Sequence, residues 1–169
     1  EMCIRDSGKP IRLFVTIEKI GDSFKVDWEG TAQQVKAAIN NTLSFTKAAS
    51  YAAIRCILQA DIPTNAGFFR CIDVSAPKGT IANMELPAPC AARGLTGFRM
   101  IDCLMGALSQ LVPDRVFASS DGGNTGISVG GYDANRKPFI FVDFTCGTWG
   151  GRPWACLLYT SDAADEQQR

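Results

Sequence analysis

The chain has 169 residues, of which 46% are apolar, and its 17 basic residues balance its 17 acidic residues. This length and composition suit one globular domain with a core of its own and exclude a disordered chain. The neutral charge and the lack of a basic stripe argue against nucleic acid as a partner, and no apolar run reaches the roughly 20 residues of a membrane helix.

The chain contains no histidine. A Ser-His-Asp triad, a Cys-His pair and a zinc site with histidine ligands are therefore excluded within this chain. The seven cysteines are odd in number and show no C-x-x-C spacing, and Cys56 and Cys103 fall within apolar helical patterns. We therefore predict buried thiols at both positions, no disulfide framework and a cytoplasmic location.

The two ends of the sequence differ in character from the rest. Residues 1–7 (EMCIRDS) and 156–169 (CLLYTSDAADEQQR) resemble translated adapter sequence, and the last stretch is polar and acidic. We expect both ends to be foreign and residues 8–155 to be part of a longer subunit. The alternative for the second end is a short native tail.

Three strands are predicted in the first half of the chain. Apolar residues alternate with polar ones over 11–17 and over 24–28, which predicts two antiparallel strands on either side of a turn at Gly21. The segment 68–77 (FFRCIDVSAP) predicts a further strand that ends at a proline turn.

Two principal helices are predicted. An apolar period near that of an α-helix runs over 43–59, where Asn41 or Thr42 can cap the first turn. A second apolar stripe predicts a helix over 97–111, with Thr96 as a possible N-cap and a proline beyond its end.

The last predicted elements are two strands, over 126–131 (GISVGG) and 139–144 (FIFVDF), joined by the turn 133–138. Strands and helices thus occur in blocks and do not alternate regularly. The fold class predicted from this order is α+β, with antiparallel or mixed sheet elements and two principal helices.

Glycines crowd two short stretches, 122–126 and 147–151. Neither stretch has the lysine of a phosphate-binding loop (G-x-x-x-x-G-K-S/T) or the spacing of a dinucleotide-binding loop. Glycine lets the backbone approach a ligand closely, so these stretches are either tight turns or the wall of another kind of site.

Three further patterns admit a structural and a chemical interpretation. Ser44 and Lys47 have the S-x-x-K spacing of some serine acyl-enzymes, but the companion motifs of that class are absent. Arg70 and Arg93 lie beside small and apolar residues. Each is either a surface arginine or a clamp for a carboxylate or an imide carbonyl.

Long stretches of the sequence resemble the hydantoinase B/5-oxoprolinase family. The likeness is carried by 63–83 (PTNAGFFRCIDVSAPKGTIAN), by 90–116 (CAARGLTGFRMIDCLMGALSQLVPDRV), by the loop around Asn124 and by 150–154 (GGRPW). It covers most of residues 11–154.

The resemblance implies a function carried out with a partner. Members open cyclic amides such as hydantoins or 5-oxoproline with ATP hydrolysis, and the ATP lies on an A-type subunit or a fused A region. A divalent metal would be held by residues outside this stretch, so no metal site is expected here. One alternative is the B-like subunit of an acetone- or acetophenone-type ketone carboxylase. Another is a non-catalytic scaffold or subunit-contact segment.

The resemblance also singles out polar side chains in loops or at the ends of elements. As substrate-binding candidates it implies Asn65, Arg70, Arg93, Asp121, Asn124 and Arg152. No residue receives a catalytic role, and the alternative is that these side chains only satisfy buried backbone groups.

Overall fold

The computed structural model describes residues 2–6, 9–58, 61–147 and 150–151. The chain has the predicted α+β fold. Its strands are β1 (Met2–Asp6), β2 (Lys9–Leu13), β3 (Thr16–Ile20), β4 (Ser23–Asp27), β5 (Ile72–Ser75), β6 (Asn124–Tyr132) and β7 (Pro138–Cys146), and its helices are α1 (Leu43–Ile57), α2 (Ala66–Arg70) and α3 (Arg93–Leu108). None of the helices in these ranges has the length and apolar character needed to cross a membrane.

The central sheet has the order β3-β4-β5 and is mixed, as predicted. Strands β3 and β4 pair antiparallel, whereas β4 and β5 pair parallel with Val26 opposite Val74. Residues alternate between buried and exposed along β5, so one face of the sheet packs on the core. Fully buried side chains from the strands, α1 and α3 form that core, among them Leu13, Trp28, Ile54, Met100, Leu104 and Leu108.

The strand predicted over 11–17 is divided in two. Strand β2 ends at Leu13 and pairs with β1, and β3 begins at Thr16 and pairs with β4. At the break, Thr31 Oγ1 accepts a hydrogen bond from the Phe14 N–H at 3.1 Å and donates to the Phe14 carbonyl at 2.9 Å. The backbone of Phe14 is therefore satisfied by a side chain and needs no neighbouring strand.

The two principal helices are present, with shifted ends. Thr42 caps α1 as predicted, because its side chain accepts from the N–H of Phe45. Helix α3 begins four residues before the predicted start, at Arg93, so Thr96 is not its cap. The Thr96 hydroxyl donates instead to the Ile39 carbonyl at 2.7 Å and ties the helix to the preceding loop.

The strand predicted over 68–77 is partly wrong, because residues up to Arg70 form α2. The carboxamide oxygen of Asn65 accepts from the N–H groups of Gly67 and Phe68, at 2.9 and 3.2 Å. These two hydrogen bonds supply the N-cap that starts the helix. Only Ile72–Ser75 forms a strand.

The prediction of a buried Cys56 is also wrong. Cys56 is exposed on α1, whereas Cys103 is buried as predicted. Partial desolvation nevertheless raises the pKa of the Cys56 thiol, which keeps it protonated near neutral pH.

The ends are described only in part. Residues 2–6, within the segment predicted to be foreign, form β1 and pair antiparallel with β2. Residues 156–169 lie outside the described residues. The origin of both ends stays a prediction.

Helices α1 and α3 meet where Gly97 faces Phe45. A Cβ added at Gly97 would lie 2.5 Å from Cε1 of the Phe45 ring, whereas a Cβ at Gly106 on the same helix would meet nothing within 4 Å. We expect Gly97→Ala to destabilise the protein by about 1–3 kcal/mol through overpacking. Gly106→Ala should instead stabilise it by about 0.5–1 kcal/mol through helix propensity. Urea unfolding measures the change in the free energy of unfolding for both variants. Changes in the same direction would contradict the contact between Gly97 and Phe45.

Candidate functional site

The two glycine-rich stretches meet in space. The N–H of Gly147 donates to the carbonyl of Gly123, and the N–H of Ala118 donates to the carbonyl of Gly151, both at 2.9 Å. We call the described part of this crossing, residues 118–123, 147, 150 and 151, the glycine junction. It lies at the base of the β6–β7 hairpin, next to α3.

At three positions of the junction, neighbouring atoms lie so close to the backbone that only glycine fits. Gly122 has a φ of +66°, and a Cβ there would overlap the guanidinium of Arg99. A Cβ at Gly147 would overlap the carboxylate of Asp121, and a Cβ at Gly150 would overlap the carbonyl of Ala118. The glycines thus allow two backbone segments and two charged side chains to pack at distances that a larger residue forbids.

An ion pair within α3 holds the junction, because both of its side chains hydrogen-bond Ser120. Arg99 Nη1 lies 3.1 Å from Asp102 Oδ2, and the side chain of Asp102 is 1% exposed. Among the described residues, no aligned hydrogen bond reaches Oδ2, and the guanidinium of Arg99 balances the charge of this buried oxygen. The same two side chains hydrogen-bond the backbone of Ser120. The Ser120 N–H donates to Asp102 Oδ1 at 3.1 Å, and the Ser120 carbonyl accepts from Arg99 Nη2 at 3.0 Å. We call these three residues the Arg99 clamp.

A groove of about 470 Å³ runs between α3 and the junction. Its wall is mostly apolar, with a few polar groups among them, which is typical of sites for small molecules. The lining includes Asp102, Met105, Ser109, Phe117, Ser119 and Gly151.

Two of the predicted site residues belong to the junction or border it. Asp121 is exposed, and its Oδ1 accepts a hydrogen bond from the N–H of Gly123 at 2.6 Å. Asn124 is the first residue of β6 and pairs with Cys146. The structure therefore brings these two positions to one place.

Three of the other candidates lie elsewhere in the described structure. Asn65 and Arg70 belong to α2, where the Asn65 oxygen is used as the helix cap. The guanidinium of Arg93 lies 5.7 Å from the ring centroid of Phe45 in the first turn of α1, away from α2. Arg152 lies outside the described residues. The binding roles of all six candidates stay predictions.

Sequence reasoning missed the Arg99 clamp. The available signal was Asp102, a carboxylate within the apolar stripe of a helix, three residues after an arginine. A charge in that position is expected to be paired, since an isolated buried carboxylate is costly.

Within the ranges that the structure describes, no group of three or more Cys, Asp or Glu side chains is arranged to hold a metal ion. The groups that the junction presents around its groove are backbone polar groups, serine hydroxyls and the exposed carboxylate of Asp121.

Comparison with known proteins places this arrangement in a family. The sequence model described as "Hydantoinase B/oxoprolinase" matches residues 1–155. The chain belongs to the hydantoinase B/oxoprolinase family. The match includes α3, the Arg99 clamp and the whole of the glycine junction.

Named relatives of this hydantoinase B/oxoprolinase chain are much longer. A Pseudomonas sp. (strain NS671) protein, provisionally named as the B component of a D-/L-hydantoinase, is 36% identical over 85% of this chain and 25% of its own length. The 5-oxoprolinase of Saccharomyces cerevisiae is 25% identical over 86% of this chain and 11% of its own. The crystal structure of an ATP-dependent caprolactamase from Pseudomonas jessenii is similar with a TM-score of 0.64 and 28% identity, over 75% of this chain and 22% of the other. The chain thus spans a quarter or less of the length of these relatives.

Proposed function

We propose that this chain is part of the B-type subunit of an enzyme that opens small cyclic amides with ATP hydrolysis. The observation that carries the proposal is the likeness to an ATP-dependent caprolactamase over 75% of the chain. Two other relatives bear the names of a hydantoinase component and a 5-oxoprolinase. Hydantoin, 5-oxoproline and caprolactam share one chemical unit, an amide within a ring.

The proposal divides the work between subunits. ATP would lie on a hydantoinase A-type subunit or fused region, and a divalent metal would lie in another part of the longer B-type subunit. We also propose a cytoplasmic location, since the cysteines at 56, 71 and 90 are free thiols.

For this chain, we propose that the glycine junction and its groove form one wall of the substrate site. Met105 and Phe117 would contact the methylene groups of the ring, and the hydroxyls of Ser109 and Ser119 are within the same lining. Asp121 and Asn124 remain the candidates for polar contact with the amide, because both positions lie in or beside the glycine junction.

The Arg99 clamp would position this wall. It fixes the backbone of Ser120 on both its N–H and its carbonyl, one residue before Asp121. A wall held in this way does not need to reorganise when the ring opens, which favours catalysis.

The proposal predicts that the 169-residue chain alone does not open hydantoin, 5-oxoproline or caprolactam with ATP. The complete B-type subunit should do so when it is combined with its A-type partner, because nucleotide and metal lie outside this chain. Chromatographic assay of the opened product checks both parts. Turnover by the chain alone would contradict the division of work, and its absence from the complete pair on all three rings would contradict the reaction class.

A further inference from the structure

The β6–β7 hairpin is apolar on both of its faces. Over residues 126–144, Asp143 is the one charged residue within the two strands. The hairpin projects as a separate two-stranded sheet and packs chiefly against itself. Its large exposed apolar side chains are Ile127, Val129, Tyr132, Phe139, Ile140, Phe141, Val142 and Phe144.

The register divides these side chains evenly. Residues that pair across an antiparallel ladder share a face, and successive residues alternate between faces. One face carries Ile127, Val129, Phe139 and Phe141, together with Asp143, and the other carries Tyr132, Ile140, Val142 and Phe144. Neither face is therefore the polar, solvent side of an ordinary hairpin.

Contacts within the hairpin do not bury these groups. The Phe144 ring lies over Gly126 and the Phe139 ring lies against Gly131, where an added Cβ would be 3.3 and 3.1 Å from the rings. Phe144 is nevertheless 64% exposed, and Ile140 is 81% exposed. An isolated two-stranded hairpin is marginal in water, so this one needs further packing to be stable.

We propose that the hairpin is an inner layer of the longer B-type subunit, covered on both faces by the polypeptide that lies beyond this chain. This inference rests on the proposed function only in taking the chain as part of a longer subunit. Strands that are apolar on both faces are those buried between two layers. A second copy of this chain, docked about a two-fold axis, would cover one face and leave the other in water.

The length of the relatives supports this occupant. The chain spans 25% of the hydantoinase-named relative and 22% of the caprolactamase, so three quarters or more of such a subunit is available to form the two layers. The layer on the Ile127 face must also meet the carboxylate of Asp143. We therefore expect that layer to be apolar with one basic or hydrogen-bonding group, since an unpaired buried carboxylate is costly.

The test compares one lysine on each face with a lysine in the turn. Val129→Lys and Val142→Lys alter opposite faces, and Ala134→Lys alters the exposed turn as a control. In the 169-residue chain, all three should leave the urea midpoint and the monomeric sedimentation unchanged. In the complete subunit, the two valine variants should lower the melting temperature by several degrees or abolish soluble protein, while Ala134→Lys changes neither.

Milder variants cover the case in which the lysine variants fail to fold. Val129→Thr and Val142→Thr keep the side-chain shape and replace one methyl group by a hydroxyl, so each should give a smaller loss of melting temperature in the complete subunit and none in the short chain. A face that accepts both lysine and threonine in the complete subunit is free, and that result overturns the two-sided burial.

Two other results would overturn the proposed occupant. A short chain that sediments as a dimer, and becomes a monomer with lysine on one face, would assign that face to a second copy. A complete subunit that keeps its stability but loses binding of the A-type partner would assign the face to the partner. The melting temperature, sedimentation and partner binding are measured without catalysis. An enzyme that is inactive on cyclic amides would therefore still allow this test of the hairpin.

Discussion

Replacing Arg99 by alanine is expected to destabilise the protein by about 3 kcal/mol. The change leaves the carboxylate of Asp102, 1% exposed, without the cation that balances it, and loss of one partner from a buried pair has a cost of this order. It also removes the hydrogen bond to the Ser120 carbonyl. Urea denaturation of the variant and the unmodified chain measures the difference.

A matched arginine on the same helix is the control. Arg93 is exposed and contacts the Phe45 ring at 5.7 Å, so Arg93→Ala should change stability by no more than about 1 kcal/mol. The double variant Arg99→Met with Asp102→Leu should lose less than the Arg99→Ala variant, because it removes both charges together. Equal small effects of the two alanine variants would mean that the clamp does not hold the junction.

Replacing Gly150 by alanine is expected to cost about 2 kcal/mol or more. The added methyl group would overlap the backbone carbonyl of Ala118, which cannot move without shifting the junction. At Gly151, the next residue, an added Cβ meets nothing within 4 Å. Gly151→Ala should therefore stay within about 0.5 kcal/mol of the unmodified protein.

Thermal and urea unfolding of the Gly150→Ala and Gly151→Ala variants separate the effect of packing from the effect of backbone entropy. Both substitutions restrict the unfolded chain equally, so the difference between them reports the crossing of the two glycine segments. A Gly150→Ala variant as stable as Gly151→Ala would remove the physical basis of the junction.

Elements with a strong local period could be predicted from the sequence. Helices α1 and α3 and the β6–β7 hairpin follow from repeated apolar spacing, and with them the α+β class. Element boundaries that depend on single side-chain hydrogen bonds, without a repeated apolar spacing, could not be predicted. The side chain of Asn65 starts α2 within a run that looks like a strand, and Thr31, 17 residues from Phe14, ends β2.

The sequence predicts several of the residues that form the candidate site, but it does not predict which of them contact one another. Both glycine stretches and Asp121 are conspicuous in the sequence, but the contact between the two stretches cannot be predicted from it. The bonds that assemble the clamp join residues 18 and 21 positions apart, across the end of α3. Six polar candidates were predicted as one set. Of the five that the structure describes, Asp121 and Asn124 lie together at the junction. Asn65 and Arg70 are separated from Arg93 because α2 and the start of α3 pack at different turns of α1.

The nucleotide balance of the complete enzyme tests the central claim most directly. We expect ADP release to rise in step with the linear product of 5-oxoproline, hydantoin or caprolactam, with no label taken up from ¹⁴C-bicarbonate. That result would assign the longer subunit to cyclic-amide opening. Bicarbonate label in a carboxylated ketone, with no ring opened on any of the three amides, would contradict the account and assign the subunit to the carboxylases.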